Sequence, residues 1–323
     1  MKNLKKIFTI FIAMLILLVS GCSKNNTNLK ANKDKINVVA TIFPLYDWVV
    51  SVANGNPSIN VELLVKNGVD LHSFQPSAKD ILNLSSADVL IYVGGESDFW
   101  IEDVLKNPIN KNITKINLMD FLKDSVKQEE FVDGMTQHEH NSKEEESEEY
   151  DEHIWLSIKN AENCVTKIAE ELCAKSLEDS KNLNENKEKY INELKNLKKE
   201  YQEKNQFLKT IIVCDRFPFR YMTDELGINY FAAFVGCSAE TEASFETVAF
   251  LSEKVKSLNV KEVFVTESSD KKLAETIIKN AGAAENCKIV SLNSMQNVGL
   301  KQIESGKTYI SIMEENYKKL LSE

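Results

Sequence analysis

The chain has 323 residues, 43% of them hydrophobic and 27% charged, which is enough apolar material for two domains of ordinary size and excludes global disorder. Lys and Arg total 39 against 49 Asp and Glu, a formal charge of −10, which argues against a nucleic-acid binder and suits a cation ligand better. The 11 glycines and 5 prolines exclude a collagen-like or low-complexity chain.

The first elements read as targeting rather than fold. Lys2, Lys5 and Lys6 form a basic stretch before the uncharged run Ile7 to Val19, which is too short to span a bilayer but right for a signal peptide. It ends in Leu18-Val19-Ser20-Gly21-Cys22, which resembles a lipobox. Residues 1–21 are therefore expected to be cleaved, with Cys22 lipidated and residues 22–35 serving as a flexible tether. An ordinary signal peptide with a chance cysteine is the plainer alternative. No later segment reads as a membrane span. Cys164, Cys173, Cys214, Cys237 and Cys287 are irregularly spaced with no CxxC pair, so neither a disulfide framework nor a zinc knuckle is indicated.

From Ile36 strands alternate with helices. Ile36–Ile42, Val61–Val65 and Val89–Val93 are predicted strands, with helical spacing over Tyr46–Ala53 and a capping box at Ser77–Asp80. Residues 36–178 are expected to form an N-terminal lobe, ending in a helix over Ile158–Leu172. It is interrupted at about residues 128–152 by a Glu-rich insertion that carries His138 and His140 and reads as solvated. Over residues 179–208, Leu183, Tyr190, Leu194, Leu197, Tyr201 and Leu208 share one helical face. That predicts one connecting helix on the order of 40 Å long. Residues 209–323 restart the alternation, with strands at Thr210–Cys214, Tyr230–Phe234, Glu262–Thr266 and Lys288–Leu292 and helices at Phe245–Leu258 and Lys271–Ala281. The fold class is α/β, with mostly parallel sheets in two lobes.

In open parallel sheets ligands sit beyond the carboxyl ends of strands. His72, His153, Asp215, Glu267 and Asn293 fall at or near such ends. Imidazole and carboxylate together form a donor set suited to Zn²⁺ or Mn²⁺. Each residue alone has an ordinary reading: a surface histidine, or a carboxylate capping the next helix.

The motifs in combination resemble a known family. Thr41-Ile42-Phe43-Pro44-Leu45-Tyr46-Asp47, the loop from Gly68 through His72 to Asp80, and Asp151-Glu152-His153-Ile154-Trp155-Leu156 are similar to landmarks of the zinc and manganese solute-binding lipoproteins of ABC importers. The resemblance implies two pseudo-symmetric βα lobes, a rigid connecting helix and a metal held in the cleft, with His72 and His153 as ligands. It implies Zn²⁺ before Mn²⁺ as cargo, an ABC permease and its ATPase as partners, and a monomer lipid-anchored at the outer face of the cytoplasmic membrane. The insertion lies where zinc-specific members carry a His-rich loop, so His138 and His140 are candidate accessory ligands; a merely solubilising loop is the alternative.

The second lobe departs from the pattern. Arg216 stands at the family's usual third-ligand position and Asn293 where an acidic ligand is common, and arginine stays protonated and cannot bind a metal ion. Three readings stay open: Asp215 with Glu267 as third and fourth ligands, which is favoured; Cys237 as a thiolate ligand, which would favour zinc; or loss of metal binding, with Arg216 holding an anion or pairing with Glu267. A surface adhesin of the same fold is a second functional class and a zinc hydrolase a third. The chain lacks HExxH, GxSxG and a P-loop, so an enzyme is not expected.

Overall fold

The computed structural model describes residues 35–66, 68–69, 71–135, 149–204, 210–237 and 242–321. The expected signal peptide, Cys22, all of the expected tether but Lys35, His138 and His140 lie outside them. Ile36–Glu323 forms one compact unit, distinct from Met1–Lys35.

Its first half runs β1 (Ile36–Ala40), α1 (Phe43–Ala53), β2 (Ile59–Leu63), α2 (Ala78–Ser86), β3 (Val89–Tyr92), α3 (Phe99–Leu105), β4 (Thr114–Asn117) and the single turn α4 (Leu118–Phe121). Two long helices follow, α5 (Ile158–Lys175) and α6 (Ser180–Lys204). The second half runs β5 (Thr210–Phe217), α7 (Arg220–Leu226), β6 (Asn229–Val235), α8 (Phe245–Ser257), β7 (Glu262–Thr266), α9 (Lys272–Asn280), β8 (Lys288–Leu292), α10 (Leu300–Glu304) and α11 (Tyr309–Leu320).

The strands form two parallel sheets of the same order, β2-β1-β3-β4 and β6-β5-β7-β8. Val38 of β1 lies between Val61 and Val89, and Val213 of β5 between Ala232 and Phe264. The order therefore turns back at the first strand of each lobe, which opens a crevice at the carboxyl end of each sheet. β3 is buried along its whole length, as expected of a strand covered on both faces.

Local chemistry sets the ends of the elements. Ser77 Oγ accepts from the Asp80 amide while Asp80 Oδ2 accepts from the Ser77 amide, the reciprocal box that starts α2. Pro44 sits in the first turn of α1, where its missing N–H costs nothing, and Asn54 ends that helix in the left-handed region. β5 is longer than the sequence suggests. It runs on through Asp215 and Arg216 to Phe217, with a register irregularity between Val213 and Arg216.

The two lobes share one core. A single apolar cluster takes in Val38, Trp48, Ile91 and Trp155 from the first lobe, Leu183 to Tyr201 from α6, and Phe217, Leu292, Met295 and Tyr309 from the second. α6 spans roughly 37 Å and buries Leu183, Tyr190, Ile191, Leu194, Leu197 and Tyr201. α11 packs back on the first lobe, with the Tyr309 ring edge-on to Trp48 at 5.3 Å. Asp47 Oδ2 accepts from Tyr190 Oη and from the Tyr309 amide, both at 3.1 Å, so one buried carboxylate joins α1, α6 and α11. No helix of the described residues is long and apolar enough to cross a membrane.

Two predictions follow from these clasps. Burial pushes the Asp47 pKa up to about 6 from 3.8, against the lowering effect of its hydrogen bonds to Tyr309 and Tyr190. The fold therefore binds the Asp47 proton more tightly than the unfolded chain does. Stability assigned to this proton is present at about pH 4, is lost as pH rises through about 6, and amounts to roughly 3 kcal/mol. Asp47→Asn keeps an acceptor without the titration, so the Tm difference between variant and parent should move in the variant's favour from pH 4 to 7. A constant difference would show that Asp47 does not titrate there. Trp155 Nε1 donates to the Ser294 carbonyl at 2.9 Å within the core. Trp155→Phe should cost about 1–3 kcal/mol in denaturant unfolding by stranding that oxygen, and an unchanged midpoint would contradict it.

Candidate metal centre

His72 lies on the single 3-10 turn Leu71–Ser73 that follows β2, and His153 immediately precedes the turn Ile154–Leu156 that leads into α5. Their ring centroids are 5.6 Å apart. Each ring is fixed through Nδ1: His153 by Asp151 Oδ1 at 2.8 Å, His72 by Ser97 Oγ at 2.6 Å. The same Asp151 oxygen accepts from the His153 backbone amide at 2.9 Å. Ser97 is itself placed by its amide, which donates to Glu152 Oε1 at 3.0 Å. Both Nε2 atoms meet the side-chain amide nitrogen of Gln296, at 2.6 Å from His153 and 3.2 Å from His72. An amide nitrogen only donates, so this contact suits the neutral form of each ring that accepts at Nε2 and carries its proton on Nδ1. That is the tautomer in which a histidine presents its Nε2 lone pair to a metal, with a carboxylate behind His153 and a hydroxyl behind His72.

The second lobe contributes Cys237, two residues past the end of β6. His72, His153 and Cys237 each bring a donor atom to within 4.8 Å of the other two. A second trio, Glu129, Asp151 and Cys237, converges as closely and shares the sulfur. Gly236 makes the approach possible, since a Cβ there would stand 3.1 Å from His153 Cε1 and Nδ1. The Cys237 amide donates to Glu129 Oε1 at 3.1 Å. All five cysteines of the described residues are free thiols.

Buried charge dominates the electrostatics. His153 is fully buried, which opposes charging it, yet the hydrogen bond and charge of Asp151, with Glu129 and Glu152 behind, raise its pKa above the ordinary value. Burial pushes the Cys237 thiol far up, and Glu129 and Asp151 add to this. Glu129 is itself raised, by burial first and Asp151 second. Asp151 Oδ2 and Glu152 Oε2 are buried without a hydrogen-bond partner. An assembly of imidazoles, a thiol and carboxylates in so little water suits a dication that would replace protons.

The carboxylates expected as ligands are engaged elsewhere. Asp215 does not close β5 but lies within it; its Oδ2 accepts from the Thr266 amide and hydroxyl at 3.0 and 2.7 Å, its Oδ1 from the Arg216 amide at 2.8 Å. Glu267 accepts from the Ser294 amide and hydroxyl, both at 2.8 Å, and so braces the loop after β8. Neither joins a metal-capable group among the described residues. Arg216 sits in β5 opposite Phe234. Asn293 organises the same loop, exchanging hydrogen bonds with Asn316 at 2.8 Å. Sequence reasoning missed Gln296, Ser97 and Glu129. An amide is not an expected metal donor and a serine has no spacing signal. Glu129 was assigned to the solvated insertion, whose ends are in fact folded: Gln128 bridges Tyr150, and Asp151 and Glu152 are 1% and 3% exposed.

Residues 38–322 match the family model described as ZnuA, zinc-uptake complex component A, periplasmic. The chain is 30% identical over 293 residues to zinc-binding protein AdcA of Streptococcus pyogenes, covering 88% of this chain and 55% of that protein. It thus spans little more than half the length of that relative. It is 27% identical over 316 residues to the high-affinity zinc uptake system protein ZnuA of Bacillus subtilis, covering 94% and 93%. Among solved structures, the Zn(II)-bound ZnuA-like domain of Streptococcus pneumoniae AdcA superposes with a TM-score of 0.68 at 27% identity, over 89% of this chain and 98% of that one. The periplasmic zinc-binding protein TroA of Treponema pallidum shares the fold, with a TM-score of 0.69 at 20% identity over 89% and 98%. The chain belongs to the ZnuA family of periplasmic zinc-uptake components.

Proposed function

We propose that this protein captures one Zn²⁺ between its lobes through His72 Nε2, His153 Nε2 and the Cys237 thiolate, and delivers it to the permease of an ABC importer. The observation that carries the reading is the convergence of those three donor atoms to within 4.8 Å, with both rings held through Nδ1. Asp215 and Glu267 are left out of the proposed set: Asp215 accepts from Thr266 and Arg216, Glu267 from Ser294, and neither joins a metal-capable group among the described residues. A thiolate and two imidazoles favour zinc over manganese, which prefers oxygen donors. Family membership supports the importer as partner. The lipobox-like Leu18–Cys22 supports anchoring through Cys22 at the outer face of the membrane, and a site complete within one chain supports a monomer.

The test is titration of the chain from Ser23 onward with Zn²⁺ and Mn²⁺, read by calorimetry and native mass spectrometry. One tight zinc per chain is expected, with manganese weaker. His72→Ala and Cys237→Ser should each weaken zinc at least about a hundredfold, whereas Asp215→Asn should not. A Co²⁺ derivative should show a sulfur-to-cobalt charge-transfer band that Cys237→Ser removes. No stoichiometric zinc would sink the reading, and binding that survives Cys237→Ser would remove the sulfur from it.

The carboxylate behind His153 gives a separate expectation. Asp151→Asn leaves all three donors in place but weakens the partner that fixes the ring. Zinc affinity should fall about 10–100-fold, measured in the same titration; an unchanged affinity would show that Asp151 does not orient the ring.

A further inference from the structure

We infer that Gln296 is an internal competitor for the metal: its side-chain amide holds both histidine lone pairs and has to be displaced when zinc enters. This rests on the reading of His72 and His153 as zinc ligands. Each neutral imidazole has a single acceptor lone pair, on the nitrogen without the proton. Asp151 Oδ1, a carboxylate oxygen, takes the Nδ1 proton of His153, and Ser97 Oγ can take that of His72, which leaves the lone pair of each neutral ring on Nε2, facing Gln296. Gln296 Nε2 lies 2.6 Å from the Nε2 of His153 and 3.2 Å from that of His72, and it carries two hydrogens, one for each ring. A lone pair that accepts an amide hydrogen cannot at the same time bind a metal ion at the usual 2 Å or so. Amide and ion are therefore alternatives at the same two atoms.

The competitor is built in rather than incidental. Gln296 is 5% exposed, so little water reaches its amide. The loop that carries it is held from below. Ser294 Oγ accepts from the Gln296 backbone amide and donates to its Oε1, both at 3.4 Å, and Ser294 is fixed in turn by two hydrogen bonds to Glu267. Trp155 grips the Ser294 carbonyl from the first lobe. Glu267, expected as a ligand, thus positions the residue that competes with the metal. A group tethered this close acts at high effective concentration, so it lowers affinity and, by retaking the lone pairs as the ion leaves, speeds release. For a protein that hands its cargo on, faster release is the useful half of that exchange.

Gln296→Ala tests the idea with zinc alone. Loss of two amide hydrogen bonds to the rings should tighten zinc binding about tenfold, with slower transfer to a chromogenic chelator in stopped-flow. Weaker binding would mean that Gln296 coordinates zinc, and unchanged affinity that it only packs; either overturns the inference while leaving the three-ligand reading intact if His72→Ala still abolishes binding. Absence of tight zinc in the parent would fail that reading itself. If Gln296→Ala does not fold, the parent protein still answers. With ¹⁵N-labelled glutamine and histidine, the Gln296 side-chain amide resonances should move when one equivalent of zinc is added, together with Nε2 of both rings. Amide resonances that stay in place while both Nε2 signals shift would overturn it.

Discussion

The centre depends on one buried hydrogen bond between the lobes, from the Trp155 indole to the Ser294 carbonyl. Trp155 stands two residues after His153, with ring centroids 5.2 Å apart, and Ser294 two residues before Gln296. The same tryptophan's carbonyl accepts from Tyr309 Oη at 2.6 Å, which adds α11 to the clasp. Such a contact sets first-lobe imidazoles against second-lobe loops, the mutual placement that the proposed donor set would need. Neither sheet could do so alone, because each supplies only part of the donor set.

Around that clasp the fold concentrates carboxylates where burial is expensive. Asp98 is almost wholly buried and its pKa is pushed up to about 7 by burial, with Glu152 adding to it against the lowering hydrogen bonds from Val93 and Gly94. Asp151, Glu152 and Glu129 lie close by. The proteins that keep such groups offset the desolvation with hydrogen bonds or a cation. Here hydrogen bonds satisfy one oxygen of each of Asp98, Asp151 and Glu152 and leave the other orphaned. A dication at the histidines would meet the remainder of that negative field, so the electrostatics and the donor geometry point to the same ligand.

Much of this was legible in the sequence, for stated physical reasons. Periodicity gave the eight-strand alternation apart from β4, whose short run Thr114–Asn117 is only partly buried and carries no apolar pattern. The one-sided apolar face of α6 and the capping box of α2 were readable because local chemistry alone determines them. His72 and His153 stood out by their places near strand and helix ends and by motifs resembling the family's, and their rings lie 5.6 Å apart. Asp215 and Glu267 were placed by their position at strand ends, which does not say where a carboxylate turns. Thr266 and Ser294 offered nearer donors, and the register irregularity in β5 carried Asp215 into the strand. Cys237 stood among the alternatives because its approach to the histidines rests on close packing of Gly236 between Phe217 and His153, which has no sequence spacing. The insertion's ends were misread for the same reason: a Glu-rich stretch looks solvated until Tyr221 Oη donates to the Asp151 carbonyl and Arg220 pairs with Glu130.

The rigidity of the shared core bears on how an ion gets in. With α1, α5, α6 and α11 contributing to one apolar cluster, opening the lobes as bodies would expose much of that core to water. Each buried aliphatic or aromatic side chain so exposed costs about 1.5–3 kcal/mol, far more than breaking two amide hydrogen bonds at a histidine pair. On the proposed ligand set, exchange would therefore be cheapest by side-chain displacement around Cys237 and Gln296, with the two sheets as the fixed frame. In that frame affinity is set less by closure of domains than by what the donors hold when zinc is not there.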